Sequence, residues 1–249
     1  MNDRYGADEL LDRWEDLREI KNLMGRLSHD YCVKREGGIY EKYWSRRDDS
    51  CLGTNDGWYG GPGAVRGYYD SIDAMTEFHS DMIAGVFPDV LGGKSKEALH
   101  GVGMLDYKPV DTPVVEIAGD RETAKGIWCI RGSHAKITLS GPVAYWEWGW
   151  FAVDFVREED GWKIWHMLYL DEVLRPAGSH WHGEPKKFEE LPEFARAGDV
   201  KVMQPTIPVP LREQYSGTRR FTPSPRVPEP YESFADTFSY GMQQEGVRR

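Results

Sequence analysis

The residues best suited to chemistry are histidines and an aspartate next to apolar stretches. His29 and Asp30 end an otherwise apolar helical stripe, and His166 lies in the strand-like segment 162-WKIWHMLYLDE-172. A carboxylate partner and burial can place a histidine near neutrality, where a group both gives and takes protons. The sequence therefore predicts acid and base catalysis, with His29, Asp30, His166 and His100 as candidate catalytic residues.

Each candidate also has a structural explanation. The pair at the helix end can simply finish the helix and face water. On an alternating strand, His166 would share a face with Trp162, Ile164 and Leu168. An imidazole among apolar neighbours is either a satisfied core histidine or the base of a pocket.

A second pattern is the run 145-YWEWGWF-151, in which tryptophan occupies every second position. A strand would place all three on one face, although Gly149 predicts a bulge that turns Trp150 away. Trp146 and Trp148 would then form the wall of a pocket for a flat apolar molecule, unless all three fill the core. The candidate substrate-binding residues are all aromatic: Tyr31, Trp58, Tyr59, Trp128, Trp146, Trp148 and Tyr169.

The elements that would position these groups are helices first and strands afterwards. Apolar residues recur at three- and four-residue steps over 8–35, and a second long helix is predicted over 63–85. Strands are predicted over 123–133, 143–157 and 162–172, the last two as an antiparallel hairpin. This order predicts an α+β domain with N-terminal helices packed on a curved antiparallel sheet.

Composition argues against several classes of function. A net charge of −10 disfavours nucleic acid as a partner. An apolar run of about 20 residues, as a membrane span requires, is missing, and the charged N-terminus lacks a signal-peptide core. We therefore expect a cytoplasmic protein. Three scattered cysteines, an isolated pair His180 and His182, and the lack of a phosphate-binding glycine loop predict neither metal nor cofactor.

The last third of the chain differs from the rest. Most prolines fall in 175–230, which is typical of an extended strap, whereas the aromatic segment 231–241 argues against a disordered end. We expect a domain over 1–174 and an extended tail over 175–249. The tail should pack on the domain or on a neighbouring subunit.

Four segments in this order resemble the SnoaL-like branch of the NTF2-like superfamily. They are 24-MGRLSHDY-31, 63-GAVRGYY-69, 113-PVVEIAGDRETAKGIW-128 and 153-VDFVREEDGWKIWH-166. The resemblance covers residues 8–172. It implies a cone of three helices and a strongly bent sheet around a deep apolar pocket, and a homodimer or higher oligomer.

Members of this family include dehydratases, ketosteroid isomerases, polyketide cyclases, γ-formaldehyde lyases and non-catalytic binding domains. The resemblance therefore implies a pocket rather than one reaction. The leading hypothesis is a cofactor-independent lyase for a flat aromatic small molecule, such as a γ-formaldehyde lyase or dehydratase of lignin-derived dimers. The alternatives are a steroid or polyketide isomerase, dehydratase or cyclase, and a non-catalytic binding or assembly domain.

Overall fold

A computed structural model describes residues 5–138, 141–179, 202–221 and 224–242. The pair His180 and His182 lies outside the described residues. Within these ranges, no helix combines the length and the apolar character that crossing a lipid bilayer requires.

The helices cover one face of a single sheet. In α1, Ile20, Met24 and Leu27 recur at helical spacing and are fully buried, so this stripe holds the helix on the sheet. Proline at the first position of α3 suits a helix start, because its missing N–H has no partner there. The α-helices described are α1 (Ala7–Cys32), α2 (Ile39–Tyr43), α3 (Pro62–Val86), α4 (Pro88–Leu91) and α5 (Lys96–Leu99).

The sheet is mixed and largely antiparallel. Its order is β3-β5-β6-β7-β1-β2-β8, with β4 also paired to β5, and β1 lies parallel to β7. This arrangement is the α+β NTF2-like cone predicted from the sequence, which is confirmed. The strands are β1 (Cys51–Thr54), β2 (Gly57–Gly60), β3 (Met104–Tyr107), β4 (Val110–Ile117), β5 (Thr123–Thr138), β6 (Gly141–Glu158), β7 (Gly161–Pro176) and β8 (Ile207–Pro208).

The two faces of the sheet have different covers. The inner face, which meets the helices, contributes Phe151, Val153 and Phe155 to the main core. The outer face carries Ala152 in a separate cluster with Tyr240 of the tail. Alternation along β6 therefore assigns odd-numbered residues to the helices and even-numbered residues to the tail.

The tryptophan run follows this alternation without interruption. Its pairing with β5 is continuous from end to end, so β6 has no extra residue at Gly149. Trp146, Trp148 and Trp150 therefore all point outward, and Trp150 packs in the outer cluster. The prediction that a bulge at Gly149 separates Trp150 from the other two was wrong. Glu147, between the tryptophans, points inward.

The extra residues lie in β7 instead. The register between β6 and β7 slips by one residue at Trp165 and again at Glu172. Each slip is a bulge that turns the following residues to the opposite face. His166 consequently lies on the outer face, whereas Trp162 and Ile164 lie in the inner core. The prediction that His166 shares their face was wrong for this reason.

The described parts of the tail contact the domain at the sheet. β8 extends the sheet beside β2, and the tail backbone N–H of Tyr240 donates to Asp154 Oδ2 over 2.8 Å. Arg175 on β7 donates to the Gln214 side chain and to the Tyr215 carbonyl. The domain boundary after residue 174 and the oligomeric state stay predictions.

Candidate functional site

The pair at the end of α1 does not meet the interior of the cone. His29 is exposed. Asp30 is buried and accepts hydrogen bonds from Lys42 Nζ at 2.8 Å and Tyr43 Oη at 2.7 Å. These contacts give Asp30 a structural task, which is to hold α2 against α1.

The other two candidate histidines also make structural contacts, in separate places. His100 Nε2 lies 2.6 Å from the Lys34 carbonyl and ties the end of α5 to the end of α1. On the outer face, His166 Nδ1 lies 2.9 Å from Asp154 Oδ2, and its ring stacks on Trp165 with centroids 4.3 Å apart. The structure does not bring the predicted catalytic histidines together.

The aromatic candidates divide between the core and the two faces. Tyr31 stacks on Phe151 inside the cone, and Trp128 is buried edge-on against Phe155. Trp58 is half-buried on β2. As described above, Trp146 and Trp148 lie on the outer face. Of the predicted aromatic set, only Tyr59 and Tyr169 line the cavity described next.

A cavity of about 240 Å³ opens at the end of the cone near the β1–β2 turn. Tail residues 202–205 close one side of it, since the Tyr59 hydroxyl donates to the Met203 carbonyl over 2.8 Å and the Met203 N–H donates to Ser71 Oγ over 2.8 Å. The described lining residues are Thr54, Asn55, Asp56, Tyr59, Tyr68, Tyr169, Asp171, Val202, Met203, Gln204 and Pro205.

A buried ionic cluster stands behind Tyr169. The Lys108 ammonium donates to the Tyr169 hydroxyl over 2.6 Å and lies 3.3 Å from Glu147 Oε1. The Tyr169 hydroxyl in turn donates a short hydrogen bond to Glu147. Tyr169 and Asp171 are two residues apart on β7, so both point inward.

The cluster continues away from the cavity toward α1. Lys108 Nζ lies 3.6 Å from Asp106 Oδ1, and Lys34 Nζ lies 3.1 Å from Asp106 Oδ2. Lys34 also donates to Glu36. A chain of alternating ammonium and carboxylate groups therefore lies inside the cone, from the end of α1 to the cavity.

The cluster holds more carboxyl groups than ammonium groups. Two lysines, Lys34 and Lys108, face Glu36, Asp106, Glu147 and Asp171. Burial and then the Glu147 carboxylate raise the pKa of Asp171 well above its ordinary value, against the charge of Lys108. This carboxyl therefore retains its proton where an ordinary aspartate has lost it.

Lys108, Tyr68 and Tyr169 each stay in one protonation state. Although burial alone would lower it, the Glu147 and Asp106 carboxylates hold the pKa of Lys108 above its ordinary value. Burial, with nearby hydroxyl and carboxyl groups, raises the pKa values of Tyr68 and Tyr169 well above the ordinary value for tyrosine. The two phenols remain neutral hydrogen-bond donors, and Lys108 remains charged.

Several buried polar atoms of the cluster lack a hydrogen-bond partner among the described residues. They include Asp106 Oδ1, His134 Nε2, Glu147 Oε2 and Asp171 Oδ1. Asp106, His134 and Glu147 offer ligand atoms within 4.8 Å of one another, a spacing suited to a metal ion. Lys108, however, lies beside both carboxylates and already supplies a cation there.

Sequence reasoning missed Asp171, Glu147 and Lys108. A usable signal for the first was the pair Tyr169 and Asp171 at i and i+2, which places both on one face of a strand. For Glu147, the signal was a lone acid inside an aromatic strand. Because the flanking Trp146 and Trp148 were expected to line the pocket, Glu147 was expected to face away from it.

Comparison with known proteins agrees with the resemblance. Residues 67–168 match the family model described as a SnoaL-like domain. No protein of curated function matches the sequence. An NTF2-like protein with a cystatin-like fold from Novosphingobium aromaticivorans is 16% identical, with 72% of this chain and 94% of that chain covered and a TM-score of 0.43. A hexachlorocyclohexane dehydrochlorinase from Novosphingobium barchaimii is 16% identical, with 68% and 96% covered and a TM-score of 0.44.

Proposed function

We propose, on the premise of the SnoaL-like domain that residues 67–168 match, that the chain is a cofactor-independent lyase or isomerase for a flat small molecule. The SnoaL-like domain supports a small-molecule enzyme of the dehydratase, isomerase and cyclase type. One observation carries the proposal: Asp171, a carboxyl with a raised pKa, lies in the wall of a cavity with three tyrosines.

Asp171 is the proposed proton-transfer group. A raised pKa brings a carboxyl closer to neutral pH, where one group can donate a proton and later take one back. Its neighbour Glu147 maintains this property through its negative charge. The Lys108 ammonium donates to the Tyr169 hydroxyl, which donates to Glu147. These two groups therefore hold Glu147 in place.

Tyr68 is the proposed hydrogen-bond donor to the substrate. Its ring forms part of the cavity wall, and its hydroxyl has no hydrogen-bond partner among the described residues. In an elimination, Asp171 takes a proton from carbon, the C–H electron pair forms the new double bond, and the leaving group departs with its own bonding pair. Tyr68 would then stabilise the departing oxygen by donation.

Cavity size limits the part of the substrate that is buried. At about 240 Å³ the cavity lies below the roughly 300–1,000 Å³ of common ligand sites. It favours one substituted ring, so a lignin-derived dimer would keep its second ring outside. Formaldehyde release from such a dimer is the finer form of the proposal. There a base takes the O–H proton of a hydroxymethyl group, and that electron pair becomes the second carbon–oxygen bond of formaldehyde. The pair of the broken carbon–carbon bond forms a double bond in the remaining fragment as a neighbouring oxygen leaves with its own bonding pair.

The test uses a panel of aromatic alcohols and phenolic dimers, scored for release of water or formaldehyde. We expect Asp171→Asn to lower turnover by about 10²–10⁴-fold, with Asp81→Asn, an exposed change on α3, as the matched control. The histidines predicted from sequence do not line the cavity, so His166→Gln should keep most activity. Unchanged turnover in Asp171→Asn would refute the acid–base role. Binding by the wild type without turnover would instead favour a non-catalytic binding domain.

A further inference from the structure

The charge of the cavity wall is one-sided. Among the described residues that line it, none is Lys, Arg or His; Asp56 is an exposed acid, and Asp171 is the carboxyl with the raised pKa. The Asp56 charge contributes to the raised pKa values of Tyr59 and Asp171, so its field reaches both. An anionic ligand would therefore meet the Asp56 carboxylate and, among the described lining residues, no cation to receive it.

Two cations near the cavity, in the part of the chain that the structure describes, are already neutralised. Lys108 lies behind Tyr169, with Glu147 and Asp106 carboxylate oxygens at 3.3 Å and 3.6 Å from its ammonium. Arg212 approaches through its backbone carbonyl, which accepts from Asn55. Its guanidinium donates twice to Glu172, at 2.8 Å and 2.6 Å. Neither group is available to pair with a ligand carboxylate.

Three aromatic side chains form part of the wall. Tyr59, Tyr68 and Tyr169 all line the cavity, and the Tyr59 and Tyr68 ring centroids lie 4.8 Å apart at an interplanar angle of 55°. Aromatic faces attract cations through the negative face of the ring, and several such rings beside a carboxylate form a recognised cage for ammonium groups. The same rings would also hold a flat apolar ligand.

We infer that this cavity selects its ligand by charge: it accepts a small aromatic molecule that carries a protonated amine, binds the uncharged analogue more weakly, and rejects the carboxylate analogue. The inference names the substrate class of the site in the proposed function and rests on that function for the choice of site.

Three probes of one shape and different charge test the inference. Tyramine, para-ethylphenol and para-hydroxyphenylacetate share a phenol ring and a short para substituent, and carry a positive, a zero and a negative charge at neutral pH. Calorimetric titration of the full chain should give tyramine the tightest binding, at least about tenfold tighter than the carboxylate. Added salt should narrow the difference between the charged probes.

Asp56→Asn provides the site control. It should reduce the advantage of tyramine over para-ethylphenol and leave the binding of para-ethylphenol unchanged, because only the charge is removed. Asp81→Asn, outside the cavity, should change neither. Carboxylate binding that equals or exceeds amine binding would overturn the inference, and so would an absence of binding for all three probes. An unchanged tyramine preference in Asp56→Asn would overturn the choice of cavity.

The inference and the proposed function can fail separately. If the order of the three probes holds but Asp171→Asn keeps full turnover, the acid–base function fails and the charge selection stands. If an anionic aromatic compound is turned over and Asp171→Asn abolishes that turnover, the function stands and the charge selection fails.

Discussion

The two faces of the sheet each bury a lysine beside carboxylates, but they complete the arrangement differently. On the outer face, Asp154 accepts from Lys125, His166, Ser239 and the Tyr240 N–H. The Lys125 ammonium also lies within 4.6–5.9 Å of four tail aromatic rings. That cluster is fully enclosed, and its central carboxylate has partners on both oxygens.

The inner cluster holds two lysines, Lys34 and Lys108, but it has an excess of carboxyl groups and several unpartnered atoms. Glu147 Oε2 and Asp171 Oδ1 have no hydrogen-bond partner among the described residues. A satisfied buried ion pair adds order to a fold, whereas an unsatisfied one keeps the capacity to bind or to exchange a proton. The His166–Asp154 pair has the composition of a catalytic dyad. Its contacts instead assign it a structural role, because Asp154 binds the tail residues Ser239 and Tyr240.

The largest expected effect breaks the outer cluster. Lys125→Met keeps the side-chain volume but leaves Asp154 fully buried without its ammonium, so it should lower the free energy of unfolding by about 3–5 kcal/mol. Urea denaturation measures the loss. Lys163→Met, which removes a lysine paired with exposed Asp160, is the control and should change stability little. Equal losses of unfolding free energy in Lys125→Met and Lys163→Met would show that the buried Lys125–Asp154 pair stabilises the fold no more than an exposed pair does.

A smaller effect tests the fit of the tail on His166. A methyl group added at Gly241 would lie 2.7 Å from His166 Cγ, in a ring that Asp154 holds fixed. Gly241→Ala should therefore cost about 1–3 kcal/mol through overpacking. Thermal unfolding would measure this cost beside Gly85→Ala, where no heavy atom lies within 4 Å of the added carbon. A tail that tolerates Gly241→Ala without loss would not be seated on the histidine.

The inner cluster should make the free energy of unfolding depend on pH through Asp171. Because the folded pKa of Asp171 is raised, the folded protein binds this proton more tightly than the unfolded chain does. The resulting stabilisation is present at acid pH and declines as pH rises through the ordinary aspartate value of 3.8 toward the folded value. The slope approaches about 1.4 kcal/mol per pH unit at most.

Urea denaturation from acid to neutral pH, with wild type and Asp171→Asn compared, measures this contribution. The difference in unfolding free energy between the two should shrink or change sign in favour of the variant as pH rises. A difference that grows with pH would mean that Asp171 is stabilised as a carboxylate, which contradicts the contrast between the faces.

The smallest effect provides a reference outside both clusters. Gly25 lies in the middle of α1, and an added methyl group there meets no heavy atom within 4 Å. Gly25→Ala should stabilise the protein by about 0.5–1 kcal/mol, because alanine loses less backbone entropy in a helix. The same denaturation experiment measures it, and a destabilised variant would contradict the open surface at this position.

Much of the fold could be predicted from sequence, and the reason is periodicity. The long stripes of α1 and α3 and the alternation in β6 each span many residues, so the α+β order was predicted and is confirmed, and residues 67–168 match a SnoaL-like domain. The face of each residue in β7 was not predictable in this way. Bulky apolar residues occur at both odd and even positions of 162-WKIWHMLYLDE-172, so alternation gives no sign of the extra residues Trp165 and Glu172.

The first bulge of β7 reverses which residues face the helices, and the second bulge restores the original alternation. Before Trp165 the even-numbered residues face the helices, between the bulges the odd-numbered ones do, and after Glu172 the original phase returns. The six residues in between can thus exchange faces while the residues where the strand begins and ends keep theirs. Loss of both bulges together would replace Met167, Tyr169 and Asp171 by His166, Leu168 and Leu170 on the inner face. A strand of this kind can change the side chains that face the cavity by a shift of its bulges, without any change in its sequence.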